Sequence, residues 1–230
     1  MQIHRRRVIS LLLTSLFSLG VASAIAQVAP VEGKNYRALK TEQPTDSPNK
    51  IEVIEFFSYG CPHCFAFEPT LSPWVKALPT DVVFKRVPVG FNPEYTALQR
   101  LYYTLEALGK QETLHAKVFE AIHGQHRDLG KLEVATEFAV QNGIAADQFK
   151  SAYNSFGVQS RLRRATQLTS GYQVDGVPML AIDGRYTTSS SIAGGYENVL
   201  IVAHALIEQA RVKKGLPGAN SAKGKTESKK

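Results

Sequence analysis

Apolar positions fall along this chain in two alternating rhythms. "IEVIEFF", Ile51 to Phe57, is a near-continuous apolar and β-branched run, the pattern of a buried strand. "SYG" breaks it, and "CPHCFAFEPTLSPWVKAL" then reads as a helix starting at or just before Cys61. Pro69 and Pro73 are expected to kink or divide that helix. "DVVFKRVPVGF" returns to strand character from Val82 to Val89. From about Pro93 to Thr169 apolar residues recur at three- and four-residue spacing, with Asn142-Gly143 as a helix stop and no strand candidate between. "GYQVDGVPMLAIDGRY" is strand-like again, turning at Asp183-Gly184, and "GYENVLIVAHALIEQARV" closes as an amphipathic helix. No internal repeat is visible. The order predicts an α/β sandwich, residues 51–92 and 170–213, with an all-helical domain, residues 93–169, inserted in its middle.

The two ends change the picture of the whole. "MQIHRRRVISLLLTSLFSLGVASAIAQ" places Arg5 to Arg7 before an apolar run, Val8 to Val21, and small residues at Ala22, Ala24 and Ala26. That is the order of a secretory signal peptide, residues 1–26, cleaved after Ala26 or Ala24. That run of 14 residues falls short of the roughly 20 that span a bilayer. Export and a soluble mature protein are therefore expected, beginning with a polar leading segment, residues 27–50. The formal charge of +7 misleads. Three arginines leave with the signal, and residues 211–230 hold seven cations and one acid. The remaining body, 17 cations against 19 acids, comes to −2. Residues 214–230 read as a disordered basic tail, which gives no support to a nucleic-acid partner.

Both cysteines of the chain, Cys61 and Cys64, lie in "EFFSYGCPHCFAF". A zinc site takes about four ligands; no second cysteine pair exists, and His115, His123 and His126 lie on the helical block. A covalent haem needs His directly after the second cysteine, where Phe65 stands. A structural disulfide across so short a loop contributes about 2 kcal/mol, a poor staple for a domain with ample core. A redox couple has a mechanism. Cys61 at a helix N-terminus faces unsatisfied N–H groups and the positive dipole end, Pro62 is tolerated in the first turn, and His63 can place a charge beside the sulfur. Cys61 is then the exposed, acidic thiol and Cys64 its buried partner. If folding brought Cys61 to roughly 4, its ionisation at pH 7 would contribute about 4 kcal/mol, and the reduced form would be the more stable.

The strand-Cys-Pro-His-Cys-helix unit resembles the thioredoxin superfamily, and within it the exported DsbA family of thiol:disulfide oxidoreductases. "EVIEFFSYGCPHCFAFEP" resembles the family's active-site segment and "GVPMLAIDGRY" its second signature, so the likeness covers nearly all of Ile51 to Val212. The resemblance implies a thioredoxin-like fold with an inserted helical domain. It implies a cis Val177–Pro178 bond beside the dithiol, with the Val177 backbone offered to an extended substrate. It implies that Glu55 is a buried acid under the site, for which Lys85 on the neighbouring strand is the expected partner, and that Glu68 is a second acid nearby.

The implied activity is donation of the Cys61–Cys64 disulfide to newly exported reduced proteins in the periplasm, with no bound cofactor. Reoxidation would fall to a quinone-linked inner-membrane oxidase of the DsbB type, and a monomer is expected. Two rivals stand beside this reading. One is a disulfide isomerase or reductase, against which the short leading segment leaves no room for a dimerisation domain. The other is a non-catalytic binding module for extended or unfolded polypeptides near Val177.

Overall fold

A computed structural model describes residues 29–217. The expected signal peptide and the expected tail beyond 217 lie outside the described residues. In chain order the elements are β1 (Arg37–Ala38), β2 (Ile51–Phe57), α1 (Pro62–Lys76), β3 (Val82–Pro88), α2 (Pro93–Ala107) and α3 (Gln111–Phe119). A π-helical turn, Glu120–Gly124, extends α3; then come α4 (Leu132–Gln141), α5 (Ala146–Tyr153) and α6 (Phe156–Gly171). The chain closes with β4 (Met179–Ile182), β5 (Tyr186–Ser189), α7 (Ser190–Ala193) and α8 (Tyr196–Lys214).

The sheet runs β1-β5-β4-β2-β3, with β2 and β3 parallel and the other pairs antiparallel. All seven residues of β2 are buried, as a strand covered on both faces must be. Ile54 and Phe56 pack with the helical insert, against Leu101, Phe119 and Phe149. Ile51 and Val53 pack with α1 and α8, against Phe67, Leu71, Leu206 and Ile207. The period of two thus separates two cores from Ile51 to Phe56, while Phe57 at the strand's end joins the core of the insert. The hairpin forms where Asp183-Gly184 predicts it, both residues at positive φ (52° and 69°) and closed by Arg185 N–H donating to the Ile182 carbonyl at 3.0 Å.

Two expectations are corrected. Helix α1 runs unbroken through Pro69 and Pro73. The two rings lie four residues apart on its exposed face, where the carbonyls they leave without N–H partners can meet water. The helix α8 continues through Arg211 to Lys214, into the stretch read as tail. Arg211 is buried, holding Asp81 at 2.6 Å and 3.0 Å, and Lys214 reaches Asp183 at 2.5 Å; tertiary ion pairs override the local composition. The leading segment takes part in the fold: β1 adds to the sheet at β5, and Gln43 N–H donates to the Gly184 carbonyl at 2.8 Å. That close passage needs glycine at 184, because a Cβ there would lie 2.0 Å from the Gln43 carbonyl oxygen.

Candidate active site

Strand β2 delivers the chain to a tight turn, Ser58–Cys61, in which Cys61 N–H donates to the Ser58 carbonyl at 3.1 Å. Cys61 itself is the N-cap of α1, extended at φ −90° and ψ 115°, with Pro62 in the first helical position. Gly60 is needed for close approach. A Cβ at that position would lie 3.0 Å from the Tyr95 ring and 3.1 Å from Leu98, both on α2. The helical insert therefore leans directly on the turn before the first cysteine.

Both thiols are free and buried. Cys61, expected to be exposed, is 5% accessible, and Cys64 is fully buried. The cover over Cys61 comes in part from the loop before β4: its sulfur lies 3.5 Å from the Val177 carbonyl oxygen, and the Val177–Pro178 peptide is cis. Pro178 is buried and Val177 half-buried at the surface of that loop. The sulfurs are electrostatically unequal. The Cys64 thiol, donating to the Cys61 sulfur, lowers Cys61 to about 6 against the opposing effect of burial; the backbone N–H groups of Cys64 and His63 and the His63 charge add to the lowering. Cys64 is pushed far above the ordinary thiol range, first by burial and then by the neighbouring Cys61 sulfur and Glu55.

Under the dithiol lies a buried polar cluster. Glu55 is 1% exposed and accepts from Arg86 Nε at 2.9 Å. This corrects the expected pairing with Lys85. In the parallel register Glu55 stands beside Arg86 and Ile54 beside Lys85, so Lys85 projects to the opposite face. There it meets Glu52 at 2.5 Å and Asp46 at 2.8 Å. Arg86 also donates to Glu68 at 3.0 Å. Glu68 faces His115 Nε2 at 3.4 Å, and His115 Nδ1 lies 2.9 Å from the Tyr59 hydroxyl. Burial raises Glu55 to about 8 in spite of Arg86, and the Glu68 charge adds to the rise. Glu68 itself is held low: burial opposes, but His115, Arg86 and Ser72 prevail. One buried guanidinium thus serves two carboxylates, one of them neutral near pH 7.

The motif is gripped on both sides. His123, in the π-helical turn, has Nε2 2.8 Å from the Tyr59 carbonyl oxygen, and its ring stacks on Phe65 at 4.9 Å and 11°. His63 is exposed, with Nδ1 3.5 Å from the Tyr196 hydroxyl. Arg86 was findable by counting the β2–β3 register, and Tyr59 sits inside the quoted motif. His115, His123, Tyr95 and Tyr196 reach the site only through the tertiary fold, and no local signal marks them. His126 stands in the turn after the π-helical segment at φ 55°.

The arrangement can do one chemistry well, exchange of a thiolate at Cys61 against a disulfide, with Cys64 as a thiol that stays protonated. Comparisons with known proteins agree. A family model described as the DSBA-like thioredoxin domain matches residues 52–198. A thiol:disulfide interchange protein DsbA from Azotobacter vinelandii is 43% identical over 199 residues, which span 86% of this chain and 93% of that protein. One of the same name from Pseudomonas aeruginosa is 40% identical, over 88% of this chain and 97% of its own. The crystal structure of Pseudomonas aeruginosa DsbA superposes with a TM-score of 0.77 at 41% identity, covering 80% of this chain and 95% of that one. An oxidoreductase DsbA from Xylella fastidiosa gives 0.76 at 28% identity, covering 80% and 100%.

Proposed function

This chain belongs to the DsbA-like family of thiol:disulfide oxidoreductases, with the thioredoxin-like fold and its helical insert, and from that premise we propose that it donates its Cys61–Cys64 disulfide to reduced exported proteins. The observation that carries the reading is the placement of the pair, Cys61 at the N-cap of α1 against the Val177 carbonyl of the cis-proline loop and Cys64 fully buried behind it, and the lowering of Cys61 to about 6 agrees with it. A substrate thiolate attacks the Cys61 sulfur, the Cys61–Cys64 bond breaks, and Cys64 leaves with the electron pair and takes up a proton. A second substrate thiolate attacks the substrate sulfur of that mixed disulfide and displaces Cys61 as a thiolate. Two electrons have passed from two substrate thiols to the enzyme; one proton rests on Cys64 and the other goes to solvent. Cys61 departs readily because a leaving thiol of low pKa leaves faster.

In this reading Glu55, protonated near neutral pH and close enough to Cys64 to bias it, is the proton source for the departing Cys64. The Val177 backbone is the pairing edge for an extended substrate, and His63 stabilises the Cys61 thiolate. The couple itself carries the electrons, so no further cofactor enters these steps. The place of action is the periplasm, reached through the signal peptide, and among the described residues no helix is long and apolar enough to cross a membrane. The reduced enzyme returns to the disulfide by passing its electrons to a quinone-linked inner-membrane oxidase of the DsbB type, and it acts as a monomer.

The test is stoichiometric oxidation of a reduced dithiol peptide by the oxidised protein, with Cys61→Ala as control. One disulfide formed per protein, and none with the variant, is the expected result. Oxidation that survives Cys61→Ala would refute it, and peptide capture without thiol exchange would favour a binding module. Membrane vesicles containing quinone should then restore the disulfide.

A further inference from the structure

The orientation of His63 is set from outside its own helix. The ring stands exposed in the first turn of α1, with Nδ1 3.5 Å from the hydroxyl of Tyr196. Tyr196 opens α8, directly after Gly194 and Gly195. These two residues take φ values of 82° and 134°, which favour glycine and return the chain sharply from α7. The Tyr196 ring then lies on Phe67, one helical turn past Cys64, with centroids 5.2 Å apart and planes 26° apart. Phe67 is 1% exposed. The phenol is thus fixed by packing, and its hydroxyl has a set place over the start of α1.

A phenol hydroxyl is suited to this position because it serves both states of the imidazole. It accepts from Nδ1–H, whether of the cation or of the neutral ring, and donates to Nδ1 when that nitrogen is bare. The titratable groups facing the two sulfurs from the elements around them are His63 on α1, Tyr95 on α2, Tyr196 on α8 and Glu55 on β2. Burial and the sulfur charges both raise Tyr196 above the ordinary phenol value, so its hydroxyl stays protonated through the working range.

We propose that Tyr196 is a positioning residue for disulfide exchange, holding the His63 ring through Nδ1 so that the imidazole charge acts on the Cys61 sulfur. This rests on the reading of Cys61–Cys64 as a redox couple. Tyr196→Phe keeps the ring on Phe67 and removes only the hydroxyl. Titration of thiolate absorbance in the reduced variant should show the Cys61 ionisation constant reduced about threefold, the scale of one exposed hydrogen bond. The glutathione equilibrium should shift by the same factor toward the disulfide. Both effects should vanish in a His63→Ala background, since the hydroxyl acts through that ring.

An unchanged titration in Tyr196→Phe overturns the proposal, and so does a shift of equal size in the His63→Ala background. These readings hold whether or not the protein oxidises substrates. A normal Cys61 titration without any exchange with glutathione would instead sink the redox reading.

Discussion

Reducing the Cys61–Cys64 bridge should change the sign of its effect on stability within the neutral pH range. Two contributions compete. The bridge closes a loop of four residues, and constraining the unfolded chain that little stabilises the oxidised form by about 2 kcal/mol. The reduced form gains from ionising Cys61, whose pKa falls from 9.0 to about 6 on folding. A depressed folded pKa contributes stability in full above the unfolded value and loses it as pH falls through the folded one. At pH 5 the contribution is near zero; at pH 7 it is about 1.4 kcal/mol, and at pH 8 about 2.7 kcal/mol. Cys64, raised in the fold, is a thiol in both states below pH 8 and drops out. The two redox forms should therefore match near pH 7.5, with the oxidised form more stable by almost 2 kcal/mol at pH 5 and the reduced form ahead at pH 8. At pH 7 the oxidised form is then ahead by about 0.6 kcal/mol, which reverses the advantage of the reduced form expected of a thiol near 4, because burial of Cys61 opposes the donors that lower it. Urea denaturation of both forms at pH 5, 7 and 8 reads the difference directly, and groups common to the two forms cancel. A difference that stays flat across that range would refute the argument.

His63→Ala should raise the Cys61 pKa without loss of core packing, since the ring is exposed; an unaltered thiolate absorbance titration would contradict this. Arg86→Met leaves Glu55 and Glu68 buried without their cation and should cost about 3–5 kcal/mol, more at pH 8 than at pH 5 because the carboxylates can protonate in acid. A loss under 1 kcal/mol at both pH values in urea denaturation would show that the cluster is not held by Arg86. Glu55, raised to about 8, contributes stability below its unfolded value that is lost as pH rises through the folded one. Glu55→Gln should therefore flatten the fall in stability between pH 5 and 8, and equal slopes for the two proteins would count against a protonated Glu55.

Strands β2 to β5, the helix starting at Cys61, the hairpin at Asp183-Gly184 and the cis peptide before Pro178 were legible because each rests on local pattern or on a motif, whereas the two-residue β1 carries no such signal. The errors came where one residue of register or one tertiary contact decides the outcome. Glu55 pairs with Arg86 and not Lys85 because adjacent strand residues face opposite ways, which composition cannot show. Arg211 reads as part of a basic tail until Asp81, 130 residues earlier in the chain, is brought against it. Pro69 and Pro73 look like breaks until their shared exposed face is known. Burial of Cys61 depends on the loop at Val177, 116 residues away, and so lies beyond any local reading.

The reduction potential of the Cys61–Cys64 couple tests the central claim most directly. It is measured by equilibrating the protein with glutathione buffers and counting free thiols after quenching. A thiolate stabilised at Cys61 favours the reduced form and should place the couple on the oxidising side of about −200 mV, the side on which disulfides are donated. A potential near about −270 mV, where thioredoxin acts as a reductant, would contradict disulfide donation.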